Sequence, residues 1–192
     1  MKTLMTLAAL AATLTLRGLA QLPETPTPQP KLSLSVTYSA LHTNAPVGGC
    51  GCFWSEGGAA EVASPIWHYV SGVGELSGER AGHIPGYGPI GLSLVSYMAG
   101  VRVSRLMGNR YTPFVQSLFG GVHAFDSEFP SPSGLEGKAT SFAMAAGGGL
   151  DIVASRHLLI RPIQADYQYM QLPNNSTNQQ HNFRLAAGVV FR

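Results

Sequence analysis

From residue 31 the sequence reads KLSLSVTYSALH, in which Leu32, Leu34, Val36 and Tyr38 alternate one for one with Ser33, Ser35, Thr37 and Ser39. Period-two alternation this regular makes a β-strand with one apolar and one polar face, because successive side chains of a strand point to opposite sides. The other end repeats the design: Phe183, Leu185, Ala187, Val189 and Phe191 alternate with Arg184, Ala186, Gly188, Val190 and Arg192. Neighbours across the closure of a barrel share such a pattern. Between them, strands are expected at about 53–63, 66–77, 89–104, 111–125, 139–154 and 157–171.

Composition says what surrounds these strands. Hydrophobic residues make up 45% of the 192-residue chain and charged residues only 11%, too apolar for disorder and too weakly charged for a wholly water-exposed surface. After the N-terminus no apolar run reaches the roughly 18 residues of a helical membrane span. What remains is apolar residues at every second position, the mark of transmembrane β-strands. With Lys2 and Arg17 set aside, ten basic residues balance ten acidic ones. Without a basic stripe, a nucleic-acid partner is not expected.

The connections are unequal. Those after strands one, three, five and seven (Thr43–Cys52, Gly78–Gly88, Asp126–Lys138, Leu172–Gln180) read as long and rich in Gly, Pro, Asn or Ser. Those after strands two, four and six (Ser64–Pro65, Leu106–Arg110, Ser155–Arg156) read as short. Outer-membrane barrels have short periplasmic turns and longer external loops, so an even strand count puts both termini in the periplasm. The expected fold is therefore all-β: an eight-stranded antiparallel up-and-down transmembrane β-barrel. Trp54, Trp67, Tyr69, Tyr97, Tyr111, Phe114, Tyr167, Tyr169, Phe183 and Phe191 fit aromatic girdles at the two interfaces.

Ahead of the barrel, Lys2, the apolar stretch Leu4–Leu16 and the small residues Gly18 and Ala20 read as a secretory signal peptide (1–20), with cleavage expected between Ala20 and Gln21. Residues 21–30 carry prolines at 23, 26, 28 and 30 and read as an extended periplasmic tether. The barrel domain is expected over 31–192.

In strand six, Ser141, Ala143, Gly147, Gly149 and Asp151 share the parity expected to face inward, and Phe142, Met144, Leu150 and Ile152 the other. Gly147 to Gly149 would let the wall bend or admit a large neighbour across the lumen. Strand seven resists, since Arg161 and Asp166 have opposite parity; either a bulge intervenes or one of them lies at a membrane boundary. Glu61, Gln116, Asp151, Arg161, Asp166 and Arg184 are the expected luminal polar residues. A charge in a narrow barrel is tolerable only when paired, so they are read as ion pairs plugging the interior, the alternative being a small conductive path.

Cys50 and Cys52, in VGGCGCFW, have three readings: a local or intermolecular disulfide, the local bridge being strained by the spacing; free thiols; or metal binding with His42. No metal site or cofactor is expected, since two cysteines alone do not make a zinc site. His42, His68, His83, His123, His157 and His181 lack a paired ligand spacing. His123 with Asp126 and Ser127 or Ser141 can be drawn as a catalytic triad, but nothing in the spacing selects it. Asn175-Ser176-Thr177 matches a glycosylation acceptor and reads here as a polar loop.

The opening strand LSLSVTYS, the segments PFVQSLFGGVHAF (113–125) and AAGGGLDIVASRHLLIRPIQADY (145–167), and the closing strand FRLAAGVVFR resemble the small bacterial outer-membrane β-barrel family. That group includes the opacity-type proteins and the barrel of outer-membrane protein A. The resemblance covers about 31–192. It implies contact with outer-membrane lipid and insertion by the barrel assembly machinery, which reads a final strand ending in an aromatic, here Phe191; Arg192 after it departs from the pattern. The leading expectation is a non-enzymatic, monomeric scaffold in the bacterial outer membrane displaying four loops. Alternatives are a narrow transport or ligand-binding barrel, including a soluble lipocalin-like form with its apolar parity inside, and a lipid-modifying enzyme.

Overall fold

The computed structural model describes residues 32–43, 52–84 and 90–192, so the expected signal peptide, its cleavage site and the tether lie outside the described residues. Eight antiparallel strands close into a barrel. They are β1 (Ser33–Thr43), β2 (Phe53–Trp67), β3 (Val70–Ala81), β4 (Leu92–Ser104), β5 (Tyr111–Ser131), β6 (Gly134–Val153), β7 (Leu158–Met170) and β8 (Gln180–Phe191). Each strand pairs with the next, and β8 returns to β1 from Leu34↔Phe191 to His42↔Phe183. Closure leaves no unpaired sheet edge.

The barrel is polar inside and apolar outside. Ser35, Thr37 and Ser39 of β1 are buried, whereas Leu34, Val36 and Tyr38 point outward and are exposed. On β8, Asn182, Arg184 and Ala186 are buried while Phe183, Leu185 and Phe191 are exposed. A lipocalin-like barrel requires the reverse. On the outer face of the described strands the charges are few and stand toward the end away from the termini, among them Glu56 and Arg80, register partners on β2 and β3; Glu128, Glu136 and Lys138, on β5 and β6, are exposed at that same end.

Three connections differ from expectation. The turn expected at Ser64–Pro65 is instead strand: β2 continues past a bulge between Pro65 and Trp67 and turns at His68, whose φ is +32°. Pro65 is carried in the ladder opposite Ser71 of β3, immediately beside the bulge, a place where proline is tolerated. The expected loop Asp126–Lys138 is an extended hairpin, β5 running to Ser131 and β6 starting at Gly134. Its ladder is offset between Phe125 and Phe129, where Asp126 takes φ +60° and its carboxylate accepts a 2.8 Å hydrogen bond from Ser93. β3 likewise runs on to Ala81, past the Gly78 at which a loop is expected.

Strand seven carries the bulge, between Arg161 and Gln164 in its pairing with β8. The extra residue restores the alternation, so Arg161 and Asp166 both face inward despite opposite parity.

Candidate functional site

The lumen is filled in layers. Near the middle lie three guanidiniums, Arg102, Arg161 and Arg184, and five carboxylates, Glu61, Glu75, Glu79, Asp151 and Asp166, all buried. Each comes from an inward position of its strand, and the bonding joins opposite walls. Arg184 of β8 forks onto Glu75 of β3 through Nη1 and Nη2 at 2.7 and 2.8 Å, and its Nε and Nη2 donate to Asp166 Oδ2 at 3.1 and 2.8 Å. Arg161 forks onto Asp151 at 2.7 and 3.1 Å and donates from Nη1 to Gln164 at 2.8 Å and to Glu61 at 3.4 Å. Arg102 ties Glu61 to Gln116. Gln164 links the halves, donating to Asp166 at 2.8 Å. Glu79 accepts from the Ser39 and Ser77 hydroxyls at 3.2 and 3.3 Å. Bidentate guanidinium–carboxylate pairs are the strong, direction-fixing form of such contacts.

All six luminal residues named from the sequence stand in this network: Glu61, Gln116, Asp151, Arg161, Asp166 and Arg184. Sequence reading missed Glu75, Glu79, Arg102, Gln164 and Gln168. Arg102 was legible, since it stands between the outward Val101 and Val103. Glu79 was lost because Gly78 was taken as the start of a loop; it shares the parity of Glu75 and Ser77.

Phe114 requires a correction. It is buried in the lumen and belongs to no girdle, with the Arg102 and Arg161 guanidiniums 4.2 and 4.5 Å from its ring centre. Such cation–π contact suits a desolvated guanidinium. The glycines of β6 make room for the plug. A Cβ on Gly149 would lie 2.8 Å from Phe114 Cζ, and one on Gly147 would lie 2.4 Å from an Asp166 carboxylate oxygen.

Away from the termini the inner wall turns apolar, with Leu41, Leu94, Met98, Leu118, Val122 and Met170 buried together. The remaining candidates do not converge. His123 Nδ1 is 2.7 Å from Thr140 Oγ1, while Asp126 is engaged by Ser93, so the drawn triad is not assembled. His42 packs edge-on against Trp54, with ring centres 4.8 Å apart. His68 contacts Trp67, His181 contacts Tyr167, His157 Nδ1 is 3.3 Å from the Arg192 carbonyl oxygen, and His83 is exposed. Cys52 is exposed, and Cys50 lies outside the described residues. Asn175 sits with φ +57° in an exposed polar loop held by mutual side-chain bonds of Asn174 and Asn178. Phe191 ends β8 on the outer face, exposed.

The sequence matches no family model and no curated protein. Solved structures do resemble this one. Neisserial surface protein A superposes with a TM-score of 0.66 at 12% identity, over 83% of this chain and 96% of that one. The fold is that of the small outer-membrane barrels. Ail, the attachment invasion locus protein of Yersinia pestis, superposes at 0.52 with 17% identity, over 84% of this chain and 100% of Ail. Ail has also been crystallised with the heparin analogue sucrose octasulfate, and that form superposes at 0.50 with 18% identity, over 84% of this chain and 100% of that one.

Proposed function

We propose that the protein is a bacterial outer-membrane β-barrel acting as a surface-interaction scaffold, its lumen plugged by its own side chains and its role non-enzymatic. The carrying observation is its polarity. Arg184 and Asp166 are fully buried inside while Leu34, Val36, Tyr38, Leu185 and Phe191 are exposed outside. Water on both surfaces would penalise that outer face; lipid rewards it. The apolar stretch fits a bilayer in height: from Leu34↔Phe191 to His42↔Phe183 is eight residues, which at about 3.4 Å each and a tilt of about 40° rise roughly 20 Å. Aromatic residues mark both limits, Trp67, Tyr111 and Phe191 at one and Trp54, Tyr167 and Phe183 at the other.

The loop asymmetry supports periplasmic termini, where the assembly machinery would read the Phe191 end of β8. Self-closure of the sheet supports a monomer. The external face differs from one suited to a polyanion such as the ligand crystallised with Ail, because its extended hairpin carries Asp126, Glu128 and Glu136 against Lys138. Neither drawn catalytic partner is free, which supports the non-enzymatic reading over a lipid-modifying enzyme.

Fractionation and bilayer recording test this. The mature chain is expected in the outer-membrane fraction, released only by detergent, with faster gel mobility before boiling than after and no steady conductance in planar bilayers. Recovery in the soluble periplasm without detergent overturns the membrane reading. A large steady conductance overturns the plug.

A further inference from the structure

We infer that the half of the lumen away from the termini is a binding cup for a small uncharged amphiphile whose hydroxyl or carboxamide head is held by Asn182 and Thr43. The inference rests on the membrane reading only for which compartment the cup opens to. Beyond the Arg184 layer the wall encloses a cavity of about 360 Å³, at the low end of the range for small-molecule sites. Phe53, Ile84, Leu92, Leu94, Met170 and Leu172 contribute to its apolar lining. With roughly 30 Å³ per water-sized group, that space takes a body of about a dozen non-hydrogen atoms.

An apolar cup alone would not specify an occupant, but two polar side chains interrupt its wall. Asn182 is 2% exposed, and among the described residues neither its Oδ1 nor its Nδ2 has a partner; the Thr43 hydroxyl, in a residue 5% exposed, has none there either. Both line the cavity, on neighbouring strands, one step beyond the His42↔Phe183 pair that ends the β1–β8 ladder. Gln180 also lines the cavity, yet both ends of its amide are bonded to the Leu172 backbone at 2.8 Å. Buried polar groups in proteins are nearly always bonded, so an unmet amide facing a cavity points to a missing partner.

The chemistry of that partner follows. An amide offers one donor group and one acceptor, and a hydroxyl or carboxamide answers both. A carboxylate answers only the donor, and it would enter a lumen where five carboxylates already outnumber three guanidiniums and Glu128 stands on the cavity wall. An alkylammonium answers only the acceptor. Water answers both but leaves the apolar wall uncovered, where an alkyl body gains from burial.

Decanamide and 1-decanol are the probes, with decanoate, decylammonium and decane as controls, titrated into the full mature barrel in lipid nanodiscs. The Asn182 side-chain amide resonance reports. Decanamide and decanol are expected to shift it saturably, the two charged amphiphiles to bind at least about tenfold more weakly, as one lost hydrogen bond implies. Leu94→Trp should fill the cup and abolish the shift, and Asn182→Ala should remove decanamide affinity measured by other cup resonances. Linear shifts equal to those of decane, or undiminished affinity in Asn182→Ala, overturn the proposal. The headgroup series on the unsubstituted chain decides even where a variant fails to fold. A barrel that enters nanodiscs and shows no saturable shift refutes the cup alone; one that stays soluble without lipid refutes the membrane reading, whatever it binds.

Discussion

Arg184 and Glu75 stand 109 positions apart in sequence and meet across the lumen as a two-bond fork, at 2.7 and 2.8 Å. β8 and β3 are not neighbours in the sheet, so this pair is brought together by the curvature of the closed barrel and not by strand pairing. It ties opposite walls together at a depth where neither group reaches water.

Removing one partner should therefore be costly. Arg184→Met leaves Glu75 and part of Asp166 buried without their counter-charge and is expected to destabilise the barrel by about 3–5 kcal/mol. Adding Glu75→Leu to Arg184→Met should recover the part of that loss due to Glu75, with Asp166 still lacking its guanidinium, because a buried pair is often replaceable by apolar packing. Urea unfolding of lipid-reconstituted protein measures both; a double variant no better than the single one contradicts the argument.

The β6 glycines give a second expectation. Gly149→Ala places a methyl group 2.6 Å from the Ile163 carbonyl oxygen and 2.8 Å from Phe114 Cζ. Overpacking of this kind costs about 1–3 kcal/mol. Gly74→Ala, where a Cβ meets nothing within 4 Å, should be near neutral in the same unfolding assay.

The β7 bulge makes a sharper test. One residue lies between Gly188 and Ala186 on β8, whereas two, Pro162 and Ile163, lie between their partners Arg161 and Gln164. Deleting Pro162 removes the extra residue and leaves Arg161, Gln164 and Asp166 all inward, so the variant should fold. Deleting Ala165 keeps the two ends of the strand in phase only by losing the bulge and exchanging the faces of Ile163 and Gln164, which sends Gln164 out of the polar network, so the variant should fold poorly. Heat-dependent gel mobility distinguishes folded from unfolded chains; equal behaviour of the two deletions would remove the bulge from the explanation.

Lipid exposure predicts a depth profile. Ala187, opposite Tyr38 midway along the β1–β8 seam, is the site where an arginine should cost most, about 2–4 kcal/mol, against about 0–1 kcal/mol at the rim position Trp54. Similar, small penalties at both sites in a bilayer-based unfolding measurement would argue for water on the outside.

The strands themselves were readable because alternation is a local property: Leu34/Ser35 on β1 and Leu185/Arg184 on β8 each declare two faces within a few residues. The ends were harder. Gly78 and Pro65 read as breaks, yet both are carried within the β2–β3 ladder, the proline beside a bulge, facts that depend on the neighbouring strand. Phe114 read as interfacial because aromatics suit any strand; only its depth and the guanidiniums over its ring place it inside.

The sequence by itself determined an all-β chain with apolar and polar faces and a set of charges needing partners, because side-chain alternation follows from backbone geometry alone. It did not determine which face is inside, since swapping the two leaves the pattern unchanged. Nor did it give the partner of any charge. Closure decided both: the ring of strands buries one face and not the other, and the stagger between strands, adjusted by the β7 bulge, brings Glu75 to Arg184 and Asp151 to Arg161.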